Sequence, residues 1–160
     1  MSHSPEDVRV YDLFKKFLTD NGIRFKEDED ALQLEYTITE DDLPQPTVIR
    51  IIEHQDLVQI ISPMPFIVPK DKRLDVAVAA AIANDHILNG SFALNFSNGD
   101  LRFRVSQSYV DMELSEEFAR YFFSMAVMAI DQYNDLFSRL SMGEMSLQEF
   151  IEEDAKRMAE

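Results

Sequence analysis

One stretch, Arg73 to Ser106, constrains the fold more than any other: RLDVAVAAAIANDHILNGSFALNFSNGDLRFRVS. It reads as an alanine-rich helix that stops at a glycine and turns into a tight hairpin. Asn98-Gly99 suits a two-residue type I′ turn, in which both central residues take positive φ. A loop of that length sets Phe96 opposite Leu101, Leu94 opposite Phe103 and Phe92 opposite Val105. Strand side chains alternate between faces, so these apolar residues all fall on one side. In the preceding helix, Asp71 can cap the first turn, and Asn89-Gly90 supplies a left-handed stop. Leu74, Val78 and Ile82 stand among alanines at 77, 79, 80, 81 and 83, which keep the helix thin enough for close backbone approach. Such a helix either lies flat on a sheet or also touches a second subunit.

The rest of the chain supplies two more sets of elements. Ser4 and Pro5 begin a first helix, with Glu6 and Asp7 suited to its positive end and Asn21-Gly22 as its stop. Its apolar face is Val10, Leu13, Phe14, Phe17 and Leu18. Ile23 to Phe25 reads as a short strand, and Glu27 to Asp30 as a solvated acidic turn without the glycine and terminal glutamate of a calcium loop. Leu32, Leu34, Tyr36 and Ile38 alternate with polar residues, which indicates a half-buried strand. Glu40 to Pro46 reads as a proline-broken loop. Val48–Glu53 and Leu57–Ser62 are β-branched strands, and Pro63 to Pro69 a connection.

Ser115 caps the longest helix, which runs to Met142-Gly143. At 100° per residue its polar positions, Glu116 to Ser138, form a narrow stripe, and most of the circumference is apolar. Ser146 to Glu149 is a capping box, with Met145 and Phe150 as a hydrophobic staple. The final helix, within residues 146–160, either docks on the body or frays. Helices and strands are mostly segregated, so the expected class is α+β, an antiparallel sheet with helices on one face. At 160 residues one domain, 1–160, is the expectation.

Charge and composition narrow the function. Acidic residues outnumber basic ones 30 to 15, giving −15. Such a surface repels phosphate backbones and anionic lipid, which argues against nucleic-acid and membrane partners. There is no cysteine, so disulfides and thiolate metal sites are excluded. The polar, acidic start MSHSPEDV is unlike a secretory signal, which fits a cytoplasmic protein. The three histidines are scattered, and the four glycines sit singly at element ends. No phosphate loop, nucleophile elbow or metal-ligand spacing emerges, so neither an enzyme nor a cofactor is expected. An alternative keeps a small-ligand or catalytic pocket near Asn84, Asp85 and His86. Adjacent helix residues diverge, which counts against it. Met125 and Met128, with Phe122 and Phe137, are the candidate partner or dimer surface, because methionine and aromatic side chains make adaptable contacts.

The order of elements resembles the YbjN-like family, described as bacterial sensory-transduction regulators with a fold like that of type III secretion chaperones. The resemblance rests on Ala83-Asn84, on Asn89-Gly90-Ser91-Phe92-Ala93-Leu94 entering the hairpin, and on the long helix from Ser115 to Met142-Gly143. It implies a small acidic bacterial protein, often dimeric, without known enzyme chemistry and with a chaperone-like or regulatory role. Together these readings predict a non-enzymatic interaction module that binds a polypeptide and forms a homodimer.

Overall fold

A period-two burial pattern divides one antiparallel sheet into a dry face and a wet face. The computed structural model describes residues 2–39 and 43–160. In chain order these form α1 (Pro5–Asp20), β1 (Lys26–Asp28), β2 (Gln33–Ile38), β3 (Gln45–Ile52), β4 (Leu57–Ile67), a 3-10 turn (Lys70–Lys72), α2 (Arg73–His86), β5 (Ser91–Leu94), β6 (Asp100–Ser108), α3 (Glu116–Ser141) and α4 (Leu147–Ala159). The strands lie in the order β1-β2-β3-β4-β6-β5. Leu34, Tyr36, Ile49, Ile51, Val58, Ile60, Leu101, Phe103 and Val105 are buried, while Glu35, Thr37, Arg104 and Ser106 face solvent. The helices cover the dry face: α1 meets β3, α3 meets β4 and β6, and α2 meets β5. This is the expected α+β class.

The starts of α1, α3 and α4 follow their sequence signals. Ser4, Ser115 and Ser146 accept the amides of Asp7, Phe118 and Glu149 at 3.1, 3.0 and 3.1 Å. The staple pair Met145 and Phe150 is buried. The Phe150 ring lies 5.6 Å from Phe137 and 6.4 Å from Tyr133, so α4 is docked. The stop after α1 is a full Schellman motif: Gly22 N–H donates to Thr19 O, and Ile23 N–H to Leu18 O. Ile23 is thereby held by the helix it follows. The first strand therefore starts at Lys26 rather than at Ile23, and the acidic cluster is split between β1 and the turn after it.

Three further expectations are corrected. Of the loop read from Glu40 to Pro46, residues 40 to 42 lie outside the described residues, and Gln45 and Pro46 belong to β3. Likewise β4 continues through Pro63 and Pro65 to Ile67. Proline lacks a ladder donor, and the pairings accommodate this: Pro46 precedes the β3–β4 ladder, and the β4–β6 register shifts between Pro63 and Ile67. Similarly, α2 begins at Arg73 with no side-chain cap, Asp71 lying in the 3-10 turn before it, and ends at His86, short of the proposed stop, because Ile87 is already extended.

The hairpin is also a different one. Leu94 pairs with Leu101 and Phe92 with Phe103. The loop spans Phe96 to Gly99, closed by Asn95 N–H to Asp100 O and Gly99 N–H to Asn95 O, both 2.8 Å. Gly99 alone of the Asn-Gly pair has positive φ, +80°. Asn98 instead accepts the Asp100 amide on its side chain at 2.9 Å. Relative to the expected register the pairing slips by two residues. A two-residue slip preserves side-chain parity, so Phe92, Leu101, Phe103 and Val105 stay buried and only Phe96 is displaced, to 57% exposure.

Two contacts pin this hairpin. Arg73, first residue of α2, donates to Val68 O at 3.1 Å and to Ser97 O at 3.0 Å. On the outer margin of β5, Asn84 of α2 donates to Phe92 O at 3.0 Å and accepts Phe92 N–H at 2.8 Å. One amide side chain thus replaces a neighbouring strand.

Both contacts yield predictions. A Cβ on Gly99 would meet Val68 O at 2.3 Å, and a β-branched residue resists positive φ. Gly99→Val should therefore lower stability by about 2–3 kcal/mol in urea denaturation; an unchanged midpoint would contradict this turn geometry. Asn84→Ala strips two partners from the backbone of Phe92. It should cost about 1–3 kcal/mol and accelerate amide exchange at Phe92. Retained protection there would show that the edge is closed by other means.

Candidate functional site

The exposed apolar surface of α3 meets the exit of α2. Tyr121, Met125, Met128 and Gln132 recur at i, i+4, i+7 and i+11, so they form one stripe, while Phe122, Ala126, Ile130, Tyr133 and Phe137 form the buried face. Beside the stripe run His86 and the segment Ile87 to Asn89, and together they line a groove of about 370 Å³. Ile87 is extended and packs toward the core, so the next side chain points outward. Leu88 is fully exposed, Met128 is 70% exposed and Tyr121 54%.

A polar clasp holds the groove's flank. Asp154 of α4 is buried and accepts the Tyr133 hydroxyl at 2.6 Å. Its other oxygen lies 3.0 Å from His86 Nε2. Burial, and then the bond to Asp154, push the Tyr133 hydroxyl above its usual range, so it remains a protonated donor. Nearby, Arg157 pairs with Asp135 at 3.0 Å and with Glu153 at 3.3 Å, and also donates to Gln132 O. These bonds tie α4 to α2 and α3 and fix the orientation of the imidazole at the groove.

The residues picked from sequence are separated by the structure. Met125 and Met128 line the groove. Phe122 and Phe137 are core residues and not a contact face, since both lie on the inward side of α3. Phe122 packs against Phe14 at 6.0 Å, and Phe137 against Phe92 at 4.8 Å. Asn84, Asp85 and His86 do not converge. Asn84 is bonded to β5, His86 to Asp154, and Asp85 is exposed. Consecutive helical residues are ~100° apart, which explains the divergence. A helix stop at Asn89-Gly90 would include Leu88 in α2, whereas α2 ends at His86. The one signal for Leu88 is a large apolar residue just ahead of the Asn89-Gly90 pair.

The acidic turn is partly compensated from α1. Lys15 reaches Glu27 at 2.7 Å and Glu29 at 3.7 Å, and Tyr11 donates to Glu27 at 3.1 Å. The lysine holds the Glu27 carboxyl below the usual carboxylate range. Of the histidines, His3 pairs with Glu53, and His54 sits in the β3–β4 turn with φ +64°. Among the described residues no helix is long and apolar enough to cross a membrane.

No family model and no curated protein sequence matches the chain. Solved structures do match its architecture. YbjN from E. coli, a proposed transcription regulator, aligns over 77% of this chain and 87% of its own, with TM-score 0.58 and 17% identity. The HopA1–SchA chaperone–effector complex aligns over 84% of this chain and 99% of the matched one, with TM-score 0.56 and 9% identity. For the ExsC–ExsE complex the shares are 83% and 93%, the TM-score 0.55 and the identity 12%. Identities this low speak to architecture only. The chain has the antiparallel α+β fold seen in YbjN and in the HopA1–SchA and ExsC–ExsE complexes.

Proposed function

We propose that this chain is a non-enzymatic polypeptide-binding module, chaperone-like or regulatory, that works as a homodimer. The observation that carries the reading is the groove beside α3. Its exposed side chains are methionine, leucine and tyrosine, suited to adaptable packing against another chain. The polar groups at its flank are already bonded to one another. A pocket for catalysis would need polar groups converging on a free volume. The alternative centred on Asn84, Asp85 and His86 draws no support, because two of the three are committed elsewhere. Fold neighbours seen in a chaperone–effector complex support the same direction.

Selection of random peptides displayed on phage tests this reading with the full chain. A recurrent motif should emerge, and its synthetic peptide should shift the methyl resonances of Met125 and Met128. Met128→Glu should abolish that capture and leave the melting temperature within a few degrees, since the side chain is 70% exposed. Failure to enrich any motif, or a motif that maps away from the groove, would reject the proposal.

The dimer proposal draws on α2. Leu74 is 67% exposed, Val78 is 40% exposed, and with Ala81 they form one apolar row at i, i+4 and i+7. Ala77 and Ala81 on either side of Val78 keep this face low enough for a second copy to approach closely across a two-fold axis. The C-terminal third of α3 offers no comparable face, because it is enclosed on nearly every side, Asn134 and Ser138 included. Light scattering at tens of micromolar should give twice the 18.5 kDa chain mass, and Val78→Glu should give the monomer without unfolding. A monomeric wild-type chain would refute the dimer.

A further inference from the structure

We infer that the groove beside α3 receives a short amphipathic helix that carries lysine or arginine along its flanks. This rests on reading the groove as a polypeptide site and specifies the chemistry of its occupant.

Three observations carry it. The first is length. Tyr121 to Gln132 spans twelve residues, roughly 16 Å of helix axis from first to last, which matches a ligand of three turns with anchors at i, i+4 and i+7. The second is backbone chemistry. An extended ligand needs a strand edge to satisfy its main chain. The strand that follows the groove loop is β5, and the N–H and C=O of Phe92 are already taken by Asn84. A helix satisfies its own main chain and needs only side-chain contacts.

The third observation is charge. Asp85 lies in the last turn of α2. Glu117 stands one turn before Tyr121; both carboxylates are exposed. Two arginines of the region have partners of their own. Arg157 is held by Asp135 and Glu153, and Arg120 lies over the Phe17 ring at 5.8 Å. An apolar floor with an anionic rim, on a chain of net charge −15, complements a cationic amphipathic segment and repels an acidic one.

The test uses the full chain with labelled methionine methyl groups. Three synthetic peptides of about sixteen residues share one leucine stripe and differ only in flanking residues: lysine, glutamine or glutamate. The lysine peptide should shift Met125 and Met128 and bind at least about tenfold more tightly than the glutamine peptide, and the glutamate peptide should give no shift. Raising salt from about 50 to 300 mM should weaken the lysine peptide severalfold. Asp85→Asn with Glu117→Gln should remove most of its advantage. Met128→Ser should weaken it severalfold at unchanged charge, which separates groove binding from general adhesion to an acidic surface. Equal binding of the lysine and glutamine peptides at these methyls would overturn the cationic preference and leave the groove itself supported. No methyl response to any of the three peptides would overturn this inference, while a phage-selected motif acting on the same methyls would preserve the broader reading. A response of Met125 and Met128 to protein concentration alone, or to phosphatidylcholine vesicles, would assign the groove to a second copy or to lipid and overturn the inference.

Discussion

A sheet with one dry face must be roofed, and α3 is the beam that does it. Its 26 residues cross the sheet from the α1 side to β5, and aromatic contacts mark both ends of the crossing. At the start, Phe122 meets Phe14, and Phe123 meets both Phe17 and Tyr36 with ring centres 5.2–6.0 Å apart. At the far end, Phe137 meets Phe92 and Phe150, and Tyr133 meets Phe92. Such pairs contribute roughly 0.5–1.5 kcal/mol each beyond simple burial. They also dictate rotation. Once Phe122, Tyr133 and Phe137 face the sheet, the stripe of Tyr121, Met125 and Met128 has to face outward. The groove is thus a geometric by-product of the core.

The second support is α4, which covers the end of α3. Phe150 supplies the apolar contact, and Asp154 the polar one. A buried carboxylate left alone would be strongly unfavourable, and the Tyr133 hydroxyl and the His86 imidazole remove that penalty. One side chain therefore links three helices. It also ties the segment Ile87 to Asn89 to the body of the protein, so that one wall of the groove is positioned by a residue remote in sequence.

Local signals were readable because they act over a few residues. The three serine caps, the staple at Met145 and Phe150, and the parity of β2 and β6 all follow from short-range chemistry. The hairpin register needed more. Asn-Gly permits several loops, and the contact of Arg73 with Val68 and Ser97, far apart in sequence, accompanies the longer one. The prolines of β3 and β4 misled for a similar reason, since their tolerance depends on where each ladder begins and shifts. The candidate site was half legible. Methionines on α3 could be named, yet periodicity alone did not separate Met128, outside, from Phe122, inside, on a helix apolar over most of its circumference. Leu88 depended on the point where α2 gives way to extended chain, a boundary that local signals place poorly.

The two margins of the sheet have a joint consequence. At one, Asn84 stands where another strand would pair. At the other, β1 is three residues long, Lys26-Glu27-Asp28, charged throughout and exposed. Short charged strands and occupied backbone groups are both barriers to templated growth. The sheet is terminated in both directions, so copies crowded together have no ready path to a continuous ribbon. A molecule built this way can keep greasy side chains on display for recognition and still avoid the fibrous assembly that open β-structure invites.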